Sequence, residues 1–136
     1  MKKIYESQFL NIFYEEDISL MTEIFTEETE NITDEKYKKM MLNILECIKK
    51  YKPIKLIVDL KNFIFIIVPE LQEWQDKNIV PEISKCSAKI AAYIVSKDFF
   101  SQMSIEQTVE EEESEKNFTV KYFEDIKKAR KWILKK

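Results

Sequence analysis

Asp59 closes the apolar run Leu56-Ile57-Val58, and the carboxyl end of a buried strand is where open α/β sheets present side chains to ligands. A carboxylate there has two readings. It caps backbone N–H groups in the loop that follows, or it accepts a phosphoryl group, as the aspartate of a response-regulator receiver does. The second reading needs metal-binding acids, which Glu15, Glu16 or Asp17 would supply, and finds a hydroxyl in Ser96. It also needs a lysine after the last strand, where Glu124-Asp125 stands, and a single strand before the first helix, where two are expected. A degenerate receiver-like phosphoacceptor at Asp59 therefore ranks behind the binding functions considered below.

Other chemistry is thin. The run Glu110-Glu111-Glu112-Glu113, with Glu115, would attract a divalent cation only if its oxygens converged. Consecutive glutamates on a helix diverge, and the glycine-bearing turn of a calcium loop is missing, so a solvated helix end is expected. Serines are present without a visible base, which leaves nucleophilic catalysis unsupported. Glycine and histidine are both absent, although average usage would place roughly nine or ten glycines in such a chain. Phosphate-cradling loops need glycine for close backbone approach, which rules out a P-loop and a dinucleotide fingerprint. Without histidine there is no Ser-His-Asp or Cys-His activation and no His-bearing zinc site. The expectation is a protein that is not an enzyme and carries no metal or cofactor.

Composition narrows the partners. The chain has 136 residues, 45% of them hydrophobic and 35% charged, with a formal net charge of −3, enough for one domain with a full core. Arg130 is the only arginine, so neither guanine recognition nor phosphate clamping is provided for, and nucleic-acid binding is not expected. Cys47 and Cys86 form no C-x-x-C pair and read as reduced thiols. No signal-peptide pattern follows Met1-Lys2-Lys3, and the longest apolar run, Phe63 to Val68, is six residues, too short to span a bilayer. A cytoplasmic protein without a membrane span is expected.

The elements that must hold these residues alternate. Ile4 to Tyr14 and Ile18 to Phe25 read as an N-terminal hairpin broken at Glu15-Glu16-Asp17. In the second strand Leu20, Thr22 and Ile24 share one face and Met21, Glu23 and Phe25 the other. Thr33 caps a helix whose Tyr37, Met40, Met41, Ile44, Leu45 and Ile48 recur at helical spacing, with Cys47 beside that stripe and Lys49-Lys50 at its negative end. Leu56-Ile57-Val58 is a buried strand, Pro69 opens the next helix with Leu71 and Trp74 inward, and Pro81 disturbs its end. Ile90 to Val95 is a second buried strand. Phe99, Phe100 and Met103 suggest a helical turn, and Ser104-Ile105-Glu106-Gln107 fits a capping box that starts or restarts a helix. Phe118 to Phe123 is a strand, and Asp125 caps a last helix with Ile126, Ala129 and Ile133 inward and Trp132 beside them. This alternation gives an α/β sheet with parallel crossovers.

This order, the strings Leu56-Ile57-Val58-Asp59, Pro69-Glu70-Leu71-Gln72-Glu73-Trp74 and Lys89-Ile90-Ala91-Ala92-Tyr93-Ile94-Val95, and the ending Tyr122 to Ile133 resemble the STAS/SEC14-like (SpoIIAA-like) family over essentially the whole chain. The resemblance implies a mixed sheet of about five strands with an N-terminal antiparallel hairpin, parallel crossovers and four helices. It also implies a bacterial source and a non-catalytic binding or regulatory role. Members that act as phosphorylation switches carry a short Asp-Ser-Ser-Gly-like string at the start of the helix after the third strand. Here Ile66-Ile67-Val68-Pro69-Glu70 occupies that region, so the phosphoacceptor serine is missing.

Phe63 to Val68 puts six apolar residues into a connection, more than a loop normally carries. It reads either as a buried plug or as an apolar surface. Bulky aromatics make good interface anchors, which favours Phe63 and Phe65 as the accessible set and Ile64, Ile66 and Val68 as the covered one. The expected partner-binding surface joins Asp59, Asn62, Phe63, Phe65 and Trp74, with a protein partner or a second copy of the chain as its occupant. A carrier of a small apolar or lipid-like molecule is the alternative, and an enclosed cavity would favour it.

Overall fold

The computed structural model describes residues 1–115 and 118–136, with side chains described through residue 110 and again from residue 118. The carboxylates of residues 111–115, the bulk of the acidic run, lie outside the described residues, and Glu110 is exposed.

Six strands form one sheet in the order β1-β2-β3-β4-β5-β6: β1 Lys2–Glu6, β2 Leu10–Glu15, β3 Leu20–Phe25, β4 Lys55–Asp59, β5 Ile90–Ile94 and β6 Thr119–Phe123. The first three are antiparallel neighbours, and β3 to β6 run parallel. Among the described residues five α-helices connect and cover them: α1 Asp34–Tyr51, α2 Pro69–Asn78, α3 Val80–Ser84, α4 Phe99–Glu115 and α5 Ile126–Ile133. The class is the expected one, a mixed α/β fold with antiparallel N-terminal strands and parallel crossovers. The counts differ from about five strands and four helices for two local reasons.

The first is a turn that glycine does not mark. Ser7 Oγ accepts hydrogen bonds from the Phe9 and Leu10 amides at 3.2 and 3.1 Å, splitting the Ile4–Tyr14 stretch into β1 and β2. A serine turn replaces the usual glycine or asparagine signal. The second is Pro81, which sits in the first turn of a separate short helix, α3, where its missing N–H costs nothing.

The period-two alternation of the strands sorts the core into two layers. Leu10, Ile12, Met21, Phe25, Leu56, Val58, Ala91 and Tyr93 pack under residues of α1, α2, α3 and α4. Leu20, Ile57, Ala92 and Ile94 face the other way and are covered by Ala129 and Ile133 of α5. Helix α1 starts as expected, with the Thr33 side chain accepting from the Lys36 amide, and Tyr37, Met40, Ile44, Leu45 and Ile48 are buried. Asp125 caps α5 by accepting from the Lys128 amide at 2.8 Å.

Helix α4 begins earlier than the capping box suggests. It runs unbroken from Phe99, and Asp98 supplies the cap, its Oδ2 accepting from the Ser101 amide and hydroxyl at 2.8 and 2.7 Å. Ser104 is one turn inside, where its hydroxyl donates to the Ser101 carbonyl at 2.8 Å.

Candidate functional site

Parallel strands β3, β4 and β5 bring their carboxyl ends to one edge, together with the segments 26–31, 60–68 and 95–98. With no glycine to fold these connections, hydroxyl side chains take the backbone groups instead. Thr29 Oγ1 accepts from the Ile64 amide at 2.9 Å and shares its one proton between the Thr26 carbonyl at 2.8 Å and the Asn62 carbonyl at 3.3 Å. Ser101 Oγ accepts from the Phe65 amide at 2.9 Å, and Ser104 Oγ from the Ile67 amide at 3.1 Å. Ser96 Oγ donates to the Phe63 carbonyl at 2.7 Å and accepts from the Asp98 amide at 3.1 Å. These hydroxyls are the pins of the 60–68 segment. The Ser101 hydroxyl and amide together hold the Asp98 carboxyl below the usual carboxylate range.

Asp59 follows the capping reading: its Oδ1 accepts from the Lys61 amide at 3.1 Å. The acids that a receiver would need beside it are elsewhere. Glu15 is opposite Leu20 and Leu20 opposite Lys55, whereas Asp59 is opposite Ile24. Four residues of strand, roughly 13 Å, therefore separate Glu15 from Asp59 along the sheet. Glu15 is instead bound by both Arg130 guanidinium nitrogens at 2.8 and 2.7 Å, which keeps its carboxyl below the ordinary range. Among the described residues no group of three or more potential metal-ligating side chains converges.

The alternation along 63–68 has the opposite sense to the expected one. Phe63 is only 2% exposed and Ile67 is buried, while Ile66 is 50% exposed and Val68 is exposed too. Aromatic packing decides the sense. Phe63 meets the Phe25 ring edge-on at 5.3 Å and Phe65 at 6.2 Å, and the half-buried Phe65 stacks on Tyr37 at 5.1 Å. Asn62 is half-buried with its carbonyl held by Thr29, and the half-buried Trp74 packs at the margin of the same core beneath the Lys38 ammonium, 5.8 Å from its ring. Asp59, Asn62, Phe63 and Phe65 thus lie along one connection, with the two phenylalanines turned inward.

What reaches the surface there is a different apolar set. Helix α4 buries Ser101, Ser104, Ile105, Thr108 and Val109 and exposes Phe99, Phe100 and Met103. Its amphipathicity is inverted over the first turns: serines face the core because they serve the 63–68 backbone, and aromatics face water. Phe99 and Phe100 touch edge-on at 5.6 Å, and Met103 is one turn further along the same side. Because the Phe65 and Ile67 amides are tied to Ser101 and Ser104, exposed Ile66 and Val68 run beside this turn. Helical spacing gave no warning of this, since an apolar stripe reads as core in a sequence.

Beneath the surface, a cavity of about 80 Å³ lies between the sheet and α1, α2 and α4. Of its lining side chains only Met41 is not fully buried. Glu23 of β3, 5% exposed, contributes a carboxylate to an otherwise largely apolar wall. The Tyr37 hydroxyl donates to Gln75 Oε1 at 2.5 Å at another side of the same space. Glu23 was legible only as the single charged residue in the Met21-Glu23-Phe25 face. Its field reaches α1: burial first, and the Glu23 charge second, push the Cys47 thiol up. Cys47 and Cys86 form no disulfide.

Comparison with protein-family models, curated proteins and solved structures finds no match. Among the described residues no helix is long and apolar enough to cross a membrane.

Proposed function

We propose that this chain is a non-catalytic binding module that docks a protein partner on the surface formed by Ile66, Val68, Phe99, Phe100 and Met103. The observation that carries the reading is the exposure of two adjacent phenylalanines, Phe99 at 69% and Phe100 at 63%. Burying such a side chain is worth roughly 1.5–3 kcal/mol, which the isolated chain forgoes at two neighbouring positions and a partner would recover. Contiguous apolar surface marks interaction sites, and aromatic residues anchor them. Exposed Glu70, Lys97 and Glu106 flank the patch in sequence, so the fitting partner presents an apolar centre with charges of both signs at its rim. Phe63 and Phe65, on the same segment as Ile66 and Val68, anchor that segment to the core from beneath.

A STAS/SEC14-like identity belongs to the same proposal. The sequential strand order and parallel crossovers are compatible with it, and Val68-Pro69 leaves partner binding without the family's serine switch. A cytoplasmic location accords with two cysteines that form no disulfide. A second reading, carriage of a small molecule, draws support from the interior cavity instead.

Photo-crosslinking tests the partner reading. Benzoylphenylalanine placed at position 100, in the cell that naturally makes the protein, is expected to give one discrete adduct with another protein. The same label at Leu42, an exposed position on α1, is expected to give none. Equal adducts at both positions, no adduct at 100, or an adduct only with a second copy of the chain would overturn a separate protein partner.

A further inference from the structure

We propose that the interior space around Glu23 binds a short aliphatic amine, with the ammonium on the Glu23 carboxylate and the carbon chain along the apolar wall. The inference names the ligand class for the small-molecule reading above and is independent of the docking surface.

Two cavities, of about 80 and 50 Å³, flank the same residues: Glu23, Met41, Ile44, Val58 and Tyr93 line both. Each is smaller than the roughly 150 Å³ of an engineered apolar cavity that stays dry and admits benzene, so these spaces suit a slender linear chain better than a ring. Glu23 borders both because β3 places it opposite Val58, and Val58 opposite Tyr93, on the helix-bearing face. Glu23 already interacts within the protein. A carboxylate nevertheless has about four acceptor sites and takes more than one donor. A carboxylate in a low-dielectric wall is matched better by a cationic donor than by a neutral one, and the ionised form repels an anion. With Oε1 taken by the Tyr37 hydroxyl, Gln75 brings its amide N–H donors to the larger cavity, where a second polar atom on the ligand would find them. Entry is through Met41, the one half-buried lining residue of the larger cavity, whose unbranched side chain rearranges readily.

The test uses the isosteric set n-butylamine, n-butanol and butyrate with the full chain carrying 13C-methyl methionine. Butylamine is expected to shift the Met40 and Met41 methyl resonances and leave Met103, which lines neither cavity, in place. Butanol should bind on the order of tenfold more weakly, one charge-assisted hydrogen bond's worth, and butyrate not at all. Glu23→Gln should bring butylamine down to the level of butanol. If that variant does not fold, the three-probe comparison on the natural chain decides alone. Equal affinity for all three probes, shifts confined to Met103, or no binding at millimolar concentration would overturn the amine site. Photo-crosslinking at position 100 would be unaffected by any of these results.

Discussion

Truncating Phe63 to alanine should cost about 4 kcal/mol. Burial of the ring contributes roughly 1.5–3 kcal/mol. Its edge contacts with Phe25 at 5.3 Å and Phe65 at 6.2 Å add roughly 0.5–1.5 kcal/mol each. The sum spans roughly 2.5–6 kcal/mol, and its centre, about 4 kcal/mol, falls in the range of roughly 3–5 kcal/mol found for such truncations. The ring also walls the Glu23 cavity, so its removal enlarges an existing void rather than letting neighbours close over a filled one. Urea unfolding followed by far-ultraviolet circular dichroism reads the effect. With a slope of about 2 kcal/mol per molar, the midpoint should fall by about 2 M while the slope holds. Phe100→Ser is the companion, and as a surface change it should stay within about 0.5 kcal/mol of the natural chain. A Phe63→Ala cost below about 1 kcal/mol, or equal costs for the two variants, would refute the assignment of Phe63 to the core and Phe100 to the surface.

Arg130→Met should destabilise by about 1 kcal/mol at pH 7, the upper range for a partly exposed pair with two-point geometry. The partner Glu15 has its carboxyl held down in the folded state, so the contribution is full above the unfolded carboxylate value and disappears as pH falls through the lowered one. Melts at pH 7 and pH 3 should show the Arg130→Met penalty shrinking in acid, and an unchanged penalty would contradict the pairing. Thr22→Val should stabilise by about 1 kcal/mol in urea unfolding, because the buried Thr22 hydroxyl finds no hydrogen-bond partner among the described residues. A loss of stability would mean that the hydroxyl is satisfied. Cys47 should alkylate with iodoacetamide more slowly at pH 8 in the folded chain than in urea, since burial and the Glu23 charge push its thiol up. Glu23→Gln should narrow that gap, and an unchanged rate would remove the Glu23 contribution.

The elements that sequence reveals most clearly are those whose signals are local. Helix α1 shows its Thr33 cap, its helical stripe and its terminal lysines, and α5 shows Asp125, so both stand where expected. Strands β4 and β5 are short apolar runs, and their burial on both faces follows from two covering layers. The Ser7 turn was hidden because serine rarely marks a break by itself. The helical turn at Phe99 continues through Ser104 with no restart, because Ser104, although it matches a capping pattern, commits its hydroxyl to the Ile67 amide of a distant segment. Aromatic packing of Phe63 and Phe65 on Phe25 and Tyr37, from distant elements, sets the sense of the 63–68 alternation, which no sequence window contains. Phe99, Phe100 and Met103 were legible as a helical turn, but their exposure was not. It arises because tertiary hydrogen bonding claims the serine side of α4 for the interior.

If Phe99 and Phe100 hold the partner, titration calorimetry of the protein recovered by crosslinking should separate the natural chain and Glu23→Gln from Phe99→Ser/Phe100→Ser. Loss of two aromatic anchors, each worth about 2 kcal/mol or more, predicts a weakening on the order of a thousandfold for the double variant. Glu23→Gln, which alters the interior, should bind as the natural chain does. An undiminished affinity in Phe99→Ser/Phe100→Ser, with its melting temperature intact, would contradict the account.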